Sequence, residues 1–360
     1  MGAAWMLHQW AHRVRLLVPQ LHGHQVKTLA LMAWSMCSSG GCRVTTMTLA
    51  APTSAQRAST RRRFERFLAN DRIDVAGSAV DLGRALLQNF RGRTITLMLD
   101  ETALGPWLNC MKVSVGYERR ALPLAWTCYL PGRLPIPQPQ IVELVLRQAA
   151  LCVPANTRVV LMADRGLSWP SVIDLCRELG WDYLLRVQRQ TSVRLQGGPT
   201  QRADQLVQRG GPACGTRGEV FQTAGWRACN IVAWWPRDQH EPWLLVTSLP
   251  PRRCRCAEYR RRMWQEESFR DEKSHGFGWQ RSRVREPDHA DRLLLVMQLA
   301  MWMVIAAGVD LVRRGARTLV ECTSTATLSI FQLGYRWWRY VAPAGRAPPI
   351  TLTLLAKSVG

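Results

Sequence analysis

Three carboxylates in this 360-residue chain sit where they could do chemistry: Asp100 closing the apolar run TITLMLD, Asp164 closing TRVVLMAD, and Glu266 within EYRRRMWQEESFRDEKSHGFGW, residues 258 to 279. The last stretch has no Pro and meets its first Gly at 276, so it reads as a helix. At about 100° per residue, Tyr259, Arg262, Glu266 and Lys273 fall within an arc of roughly 60°, with Arg270 at its edge. One carboxylate flanked along a helix by cations suits phosphoryl transfer on DNA. Two Mg²⁺ ions held ~3.5–4 Å apart need carboxylates from several elements, one ion to activate water or a 3′-hydroxyl and one to stabilise the leaving oxygen. Asp100, Asp164 and Glu266 supply three. Arg262, Arg270 and Lys273 would clamp the phosphates, and Tyr259 would hydrogen-bond one. Taken alone, these residues point to a metal-dependent, nuclease-like site. An Asp at a strand end also serves as a helix cap or turn former, and i,i+4 salt bridging also produces charged stripes.

The elements that must position these residues follow from periodicity and breakers. Residues 1–90 read as helices, broken at Pro19, at SSGG (38–41) and at Pro52. Within them, STRRRFERFLAND sets Phe64, Phe67 and Leu68 as an apolar stripe and leaves Arg61, Arg62, Arg63 and Arg66 for DNA phosphates or for solvent. This makes 1–90 a helical, DNA-binding region in expectation. Residues 91–190 alternate apolar strands with helices: TITLMLD, KVSVGYE and LPLAWTCYL as a meander, the helix QIVELVLRQAALC, the strand ending at Asp164, the helix PSVIDLCREL and the strand WDYLLRV. That pattern means a mixed α/β sheet, with ligands at the C-terminal strand ends. Residues 191–250, with turns at QGGPT and RGGPA and the run WLLVTSL, read as a β-rich insertion. Its Trp234, Trp235 and Trp243 fit packing, or stacking on an unpaired base. Residues 251–315 carry the Glu266 helix and a second apolar helix, and 316–360 form a basic aromatic tail containing YRWWRY.

Composition narrows the partner. The net charge is +22 with a pI near 10.7, while 47% of residues are hydrophobic, so the chain is folded and its excess charge calls for a polyanion, nucleic acid before membrane. Apart from Lys27, Lys112, Lys273 and Lys357, all the basic residues are Arg. Eleven cysteines, from Cys37 to Cys322, lack paired spacings and fit free thiols in a reducing cytosol. No signal peptide is read at the N-terminus. The run LLLVMQLAMWMVIAAGV, 293–309, extends about 25 Å at ~1.5 Å per residue, marginal for a bilayer, and contains Gln298; a buried core helix is expected there, not a membrane span.

Tyr259, Arg262, Glu266 and Lys273 together reproduce the Tyr-Arg-Glu-Lys signature, and the chain resembles the DDE transposases of bacterial insertion sequences, in the insertion-sequence-four family. LMLDET around Asp100, LMADRG around Asp164, YLLRV and LLVTSL are similar to that family's motifs, and the likeness runs over about residues 60–310. The resemblance implies a ribonuclease H-like mixed-sheet core interrupted by a β-rich insertion before the third carboxylate. It implies Asp100, Asp164 and Glu266 as catalytic metal ligands for two Mg²⁺ ions, with Mn²⁺ able to substitute. It also implies Tyr259, Arg262 and Lys273 as contacts to transposon-end phosphates, with Arg270 added from the helical face. Family members cut double-stranded DNA at inverted-repeat ends and join the 3′-hydroxyl to target DNA, typically as a homodimer in the DNA complex; some pass through a hairpin. The implied location is the bacterial cytoplasm, on the nucleoid when DNA-bound. A decayed or domesticated DNA-binding protein and a ribonuclease H-like nuclease without strand transfer stay open as alternatives. Glu267 and Glu272 are expected to bridge neighbouring arginines.

Overall fold

The computed structural model describes residues 3–321 and 327–341. Cys322 and the tail beyond 341 lie outside them. Five helices come first: α1 (Ala3–Leu17), α2 (Gly23–Ser39), α3 (Val44–Ala50), α4 (Arg57–Leu68) and α5 (Val75–Leu87). They stop at the breakers. α2 ends at Gly40, whose φ of 75° lies in the left-handed region that a β-carbon disfavours.

A meander follows, β1 (Thr94–Leu104), β2 (Leu108–Tyr117) and β3 (Arg120–Tyr129), then α6 (Gln138–Ala150), β4 (Arg158–Ala163), α7 (Pro170–Glu178) and β5 (Asp182–Arg186). Next are β6 (Ser192–Leu195), β7 (Thr200–Arg202), β8 (Cys214–Val220), β9 (Arg227–Trp234) and β10 (Trp243–Thr247). The chain closes with α8 (Cys254–Tyr259), α9 (Met263–Arg270), α10 (Pro287–Arg313) and α11 (Ile330–Val341).

All the strands join one ten-stranded sheet in the order β3-β2-β1-β4-β5-β10-β9-β8-β6-β7. β1, β4 and β5 run parallel at its centre, and β2 and β3 flank them antiparallel. The helices α6 and α7 carry the chain from β3 to β4 and from β4 to β5. This mixed α/β arrangement is consistent with a ribonuclease H-like core. Two local expectations are corrected. β1 does not end at Asp100 but continues to Leu104, because residues 101–104 form one arm of a hairpin with β2, turned at Gly105. WLLVTSL is not confined to the insertion, since β10 pairs with β5 (Val246 with Leu185) and links the strands of the insertion to the central sheet. Leu244, Leu245 and Val246 are buried on both faces, which favours an inner position.

The period of two along the strands separates the faces. Ile95, Leu97 and Leu99 of β1, with Val159, Leu161 and Ala163 of β4, point into the main core. Val160 and Met162 of β4 and Leu184 of β5 point the other way, into a second cluster with Cys256 and Tyr259 of α8. By the same alternation Asp100 leaves β1 on the face that α8 and α9 cover.

The main core is built around α10. Its most apolar window is 94% buried, against α2, α4, α5, α11 and β3, so residues 293–309 form a buried core helix. The N-terminal helices share this core: Leu29 and Met36 of α2 and Leu82 and Leu86 of α5 belong to the same cluster as Leu294 and Val304. α11 holds YRWWRY and buries Phe331, Tyr335 and Trp338, so this part of the tail covers the core. It lies close against α10, since a β-carbon on Gly334 would overlap the Val304 carbonyl. Among the described residues every cysteine is free.

Asp291 of α10 accepts a hydrogen bond from the Cys128 backbone N–H at 2.9 Å. Burial pushes its carboxyl up to about 7, against the hydrogen bonds from Cys128. Between pH ~4 and ~7 the folded chain therefore keeps a proton that the unfolded chain releases, and this group's contribution to stability falls as pH rises through that window. Asp291→Asn should flatten the slope. Urea unfolding at pH 5 and pH 8 should show a wild-type difference that shrinks in the variant by roughly 1–3 kcal/mol; an undiminished difference would assign the slope elsewhere.

Candidate active site

The register of β1 and β4 sets the site. Leu99 pairs with Ala163, the last positions at which β1 and β4 pair with each other, so Asp100 and Asp164 are the next residues on the two strand paths. Asp164 turns the chain. Its Oδ1 accepts from the backbone N–H groups of Gly166 at 2.9 Å and Leu167 at 3.3 Å, so it does act as a turn former, and its Oδ2 is left to face the site. Asp100 accepts from the Glu101 N–H at 2.9 Å.

Arg262 stands between α8 and α9, and its guanidinium gathers the carboxylates. Nη2 lies 2.8 Å from Asp100 Oδ2 and 3.6 Å from Asp164 Oδ2, and Nη1 donates to Glu266 Oε1 at 2.8 Å. Burial pushes the Asp100 carboxyl up to about 7; Arg262 opposes this, and Asp164 and Glu266 add to it. For Arg262, burial pulls the guanidinium down, but Asp100, Tyr259, Asp164 and Glu266 outweigh it and hold the group above its ordinary value.

The helix bearing Glu266 is not the uniform one that a single wheel assumes. α8 passes through a 3₁₀ turn at Arg260–Arg262 into α9, which ends in a π turn at Asp271–His275. The pitch changes along this stretch, and the residues that share one face differ in how deeply they are buried. Tyr259 is buried, with its hydroxyl donating to the Ala163 carbonyl at 3.0 Å and its ring edge-on to Trp243, which anchors α8 to the end of β4 beside Asp164. Lys273 stands half-buried over the Phe269 ring at 5.6 Å, and burial lowers its pKa. Arg270 is exposed and pairs with Glu267 at 2.9 Å.

The structure thus brings together Asp100, Asp164, Glu266 and Arg262, while Lys273 and Arg270 lie further along the helix. The α4 arginines belong to a helix that packs on α2, α3 and α10. There Arg61 pairs with Glu65, Arg63 turns inward to Thr28 at 2.8 Å, and Arg62 and Arg66 are exposed. The insertion tryptophans each meet an arginine: Trp234 with Arg253, Trp235 with Arg189 and Trp243 with Arg186.

Buried ion pairs and a hydrogen bond fix the helix to the sheet. Lys112 of β2 donates to Glu272 at 2.6 Å, with both side chains at most 1% exposed, and Arg120 of β3 pairs with Asp271. The Ala121 N–H donates to Ser268 at 2.7 Å. Glu272 therefore bridges a lysine of the sheet and not a neighbouring arginine. A lysine inside an otherwise apolar strand was the available signal.

The donor set fits a hard divalent cation: three carboxylates from three elements, already sharing one positive group. Among the described residues no group of three or more His, Cys, Asp or Glu is arranged to hold a metal ion as it stands, and the guanidinium lies between these three.

Residues 139–303 match the transposase DDE domain. The match supports a DDE transposase, an enzyme that acts on DNA, and it spans Asp164 and Glu266 but starts after Asp100. No curated protein sequence matches the chain.

Proposed function

We propose that this protein is an insertion-sequence transposase of the insertion-sequence-four kind, which binds the inverted-repeat ends of its element, cleaves there and joins the 3′-hydroxyl to target DNA. The observation that carries this reading is the meeting of Asp100, Asp164 and Glu266 on one guanidinium, where the parallel pairing of β1 and β4 ends, in a chain whose residues 139–303 match the transposase DDE domain. Asp100, Asp164 and Glu266 would hold two Mg²⁺ ions, or Mn²⁺ in their place; bound metal supplies activation of the attacking oxygen and charge stabilisation at the leaving one.

The chain's own residues supply position. Tyr259 holds α8 against β4, and the buried pairs of Lys112 and Arg120 hold α9 against β2 and β3, so Glu266 is presented from a rigid helix. Arg262, Lys273 and Arg270 would supply cations for the phosphates, and Tyr259, proposed from its position in the signature as a further phosphate contact, has its hydroxyl on the Ala163 carbonyl in the DNA-free protein. The exposed Arg62 and Arg66, with Arg61 and Arg63 beside them, extend the basic surface for double-stranded DNA. The working form would be a homodimer on the DNA, in the cytoplasm.

The deciding experiment incubates DNA carrying the gene and its native flanks with the protein and Mg²⁺, and maps nicks at nucleotide resolution beside a Glu266→Gln control. Nicks at two inverted repeats with 3′-hydroxyls, lost in the control, are expected. Cleavage of DNA without those flanks and no joined product would instead indicate a nuclease, and binding without nicks a DNA-binding protein that has lost the reaction. Lys273→Ala should also lower the magnitude of the salt slope of DNA binding by about one unit; an unchanged slope would remove Lys273 from the phosphate contacts.

A further inference from the structure

We infer that Arg262 is the resident cation of the carboxylate site in the DNA-free protein, and that divalent metal is admitted as the phosphate of bound DNA draws its guanidinium away. The inference rests on the reading of Asp100, Asp164 and Glu266 as the metal-holding carboxylates.

The guanidinium is within 2.8 Å of Asp100 and Glu266 and 3.6 Å of Asp164, so it stands in the space that any ion shared by the three would need. Two cations cannot occupy that space together without strong repulsion, so guanidinium and metal exclude one another. Its side chain is 10% exposed and that of Asp100 8%, whereas Asp164 and Glu266 are 38% and 40% exposed. The site is closed at Asp100 and open at the other two, which gives the arginine a way out and the metal a way in from the same side.

The resting pose is also incomplete. Nε of Arg262 is buried with no hydrogen-bond partner, so the fork is held by its two ends alone. A phosphate offers two acceptor oxygens to a planar guanidinium and can satisfy the donor that the carboxylates leave out. The residue sits in the 3₁₀ turn between α8 and α9, a local change of pitch that suits a pivot. Metal and DNA would therefore bind cooperatively, each tightening the other by the same factor.

The test is calorimetric titration of the full chain with Mn²⁺, using wild type, Arg262→Ala, and Arg262→Ala combined with Asp164→Asn. Without DNA, Arg262→Ala should bind Mn²⁺ about tenfold more tightly than wild type, because the competing cation is gone. The gain should vanish in the double variant. Wild type should approach the affinity of Arg262→Ala when a short duplex is present, with Asp164→Asn plus the same duplex as background. This last comparison needs no Arg262 variant and decides the matter if the alanine form does not fold. Asp164-dependent Mn²⁺ binding that neither loss of Arg262 nor added duplex strengthens would overturn the role of Arg262 and leave the carboxylate reading intact. Absence of any Asp164-dependent binding, in every form, would overturn the carboxylate reading itself.

Discussion

Asp164→Ala is expected to abolish DNA cleavage and strand joining while leaving duplex binding near normal or tighter. The carboxylate faces Arg262 at 3.6 Å and lies beside Asp100, so under the proposed function it would help hold the metal that stabilises charge in phosphoryl transfer, and its removal also takes a negative charge away from the DNA. Loss of several kcal/mol of transition-state stabilisation corresponds to a fall of roughly 10³-fold or more. Because Asp164 also closes the turn through Gly166 and Leu167, Asp164→Asn, which keeps a side-chain acceptor, separates chemistry from folding. End-labelled cleavage and gel-shift assays on one DNA check both halves. An asparagine variant that cuts at the wild-type rate would remove Asp164 from the reaction.

The second large effect is on stability. Lys112→Met should destabilise the fold by about 3–5 kcal/mol, because it leaves Glu272 buried and unpaired. That is a large fraction of the ~5–15 kcal/mol by which folded domains are stable. Lys112 also lies over the rings of Phe269 and Trp279, at 5.1 and 5.5 Å, so some of the loss is a cation–aromatic contact. Combining Lys112→Met with Glu272→Leu removes both charges and should recover most of the stability, since a buried ion pair is often matched by apolar residues of similar volume. Urea unfolding of the two singles and the double gives the coupling directly. A single variant within about 1 kcal/mol of wild type would mean that the site is wetter than its exposure indicates. Because α9 carries Glu266, the single variant should also lose cleavage near its melting range and the double should regain it.

Much of this was legible along the chain. Apolar strands alternating with helices announced a mixed sheet, and the breakers at Pro19, Gly40 and Pro52 bounded the first helices closely. The all-round apolar run 293–309 announced a buried helix, because a helix that is apolar on every side has to be surrounded. The local arguments failed where partners are remote. Nothing near Glu272 indicates Lys112, and nothing in WLLVTSL says that it pairs with β5. A single helical wheel places Tyr259, Arg262, Glu266 and Lys273 on one face but says nothing of how deeply each is buried. No periodicity in 258–279 reveals the 3₁₀ turn at Arg260–Arg262 or the π turn at Asp271–His275.

The sequence by itself determined the inventory: two Asp each closing an apolar run, a helix carrying Glu266 among cations, an excess of positive charge and enough apolar residues for a sizeable core. These are properties of composition and of spacing within one element, where the chain's own geometry dictates the outcome. The tertiary structure alone decided the register of β1 on β4 that sets Asp100 beside Asp164, the inward turn of Tyr259, and the seat of Arg262 among three carboxylates. Apart from the i,i+4 contact of Arg262 with Glu266, each of these joins residues tens of positions or more apart in the chain. Their energies arise from burial and charge pairing that exist only once the sheet and its covering helices have closed on one another.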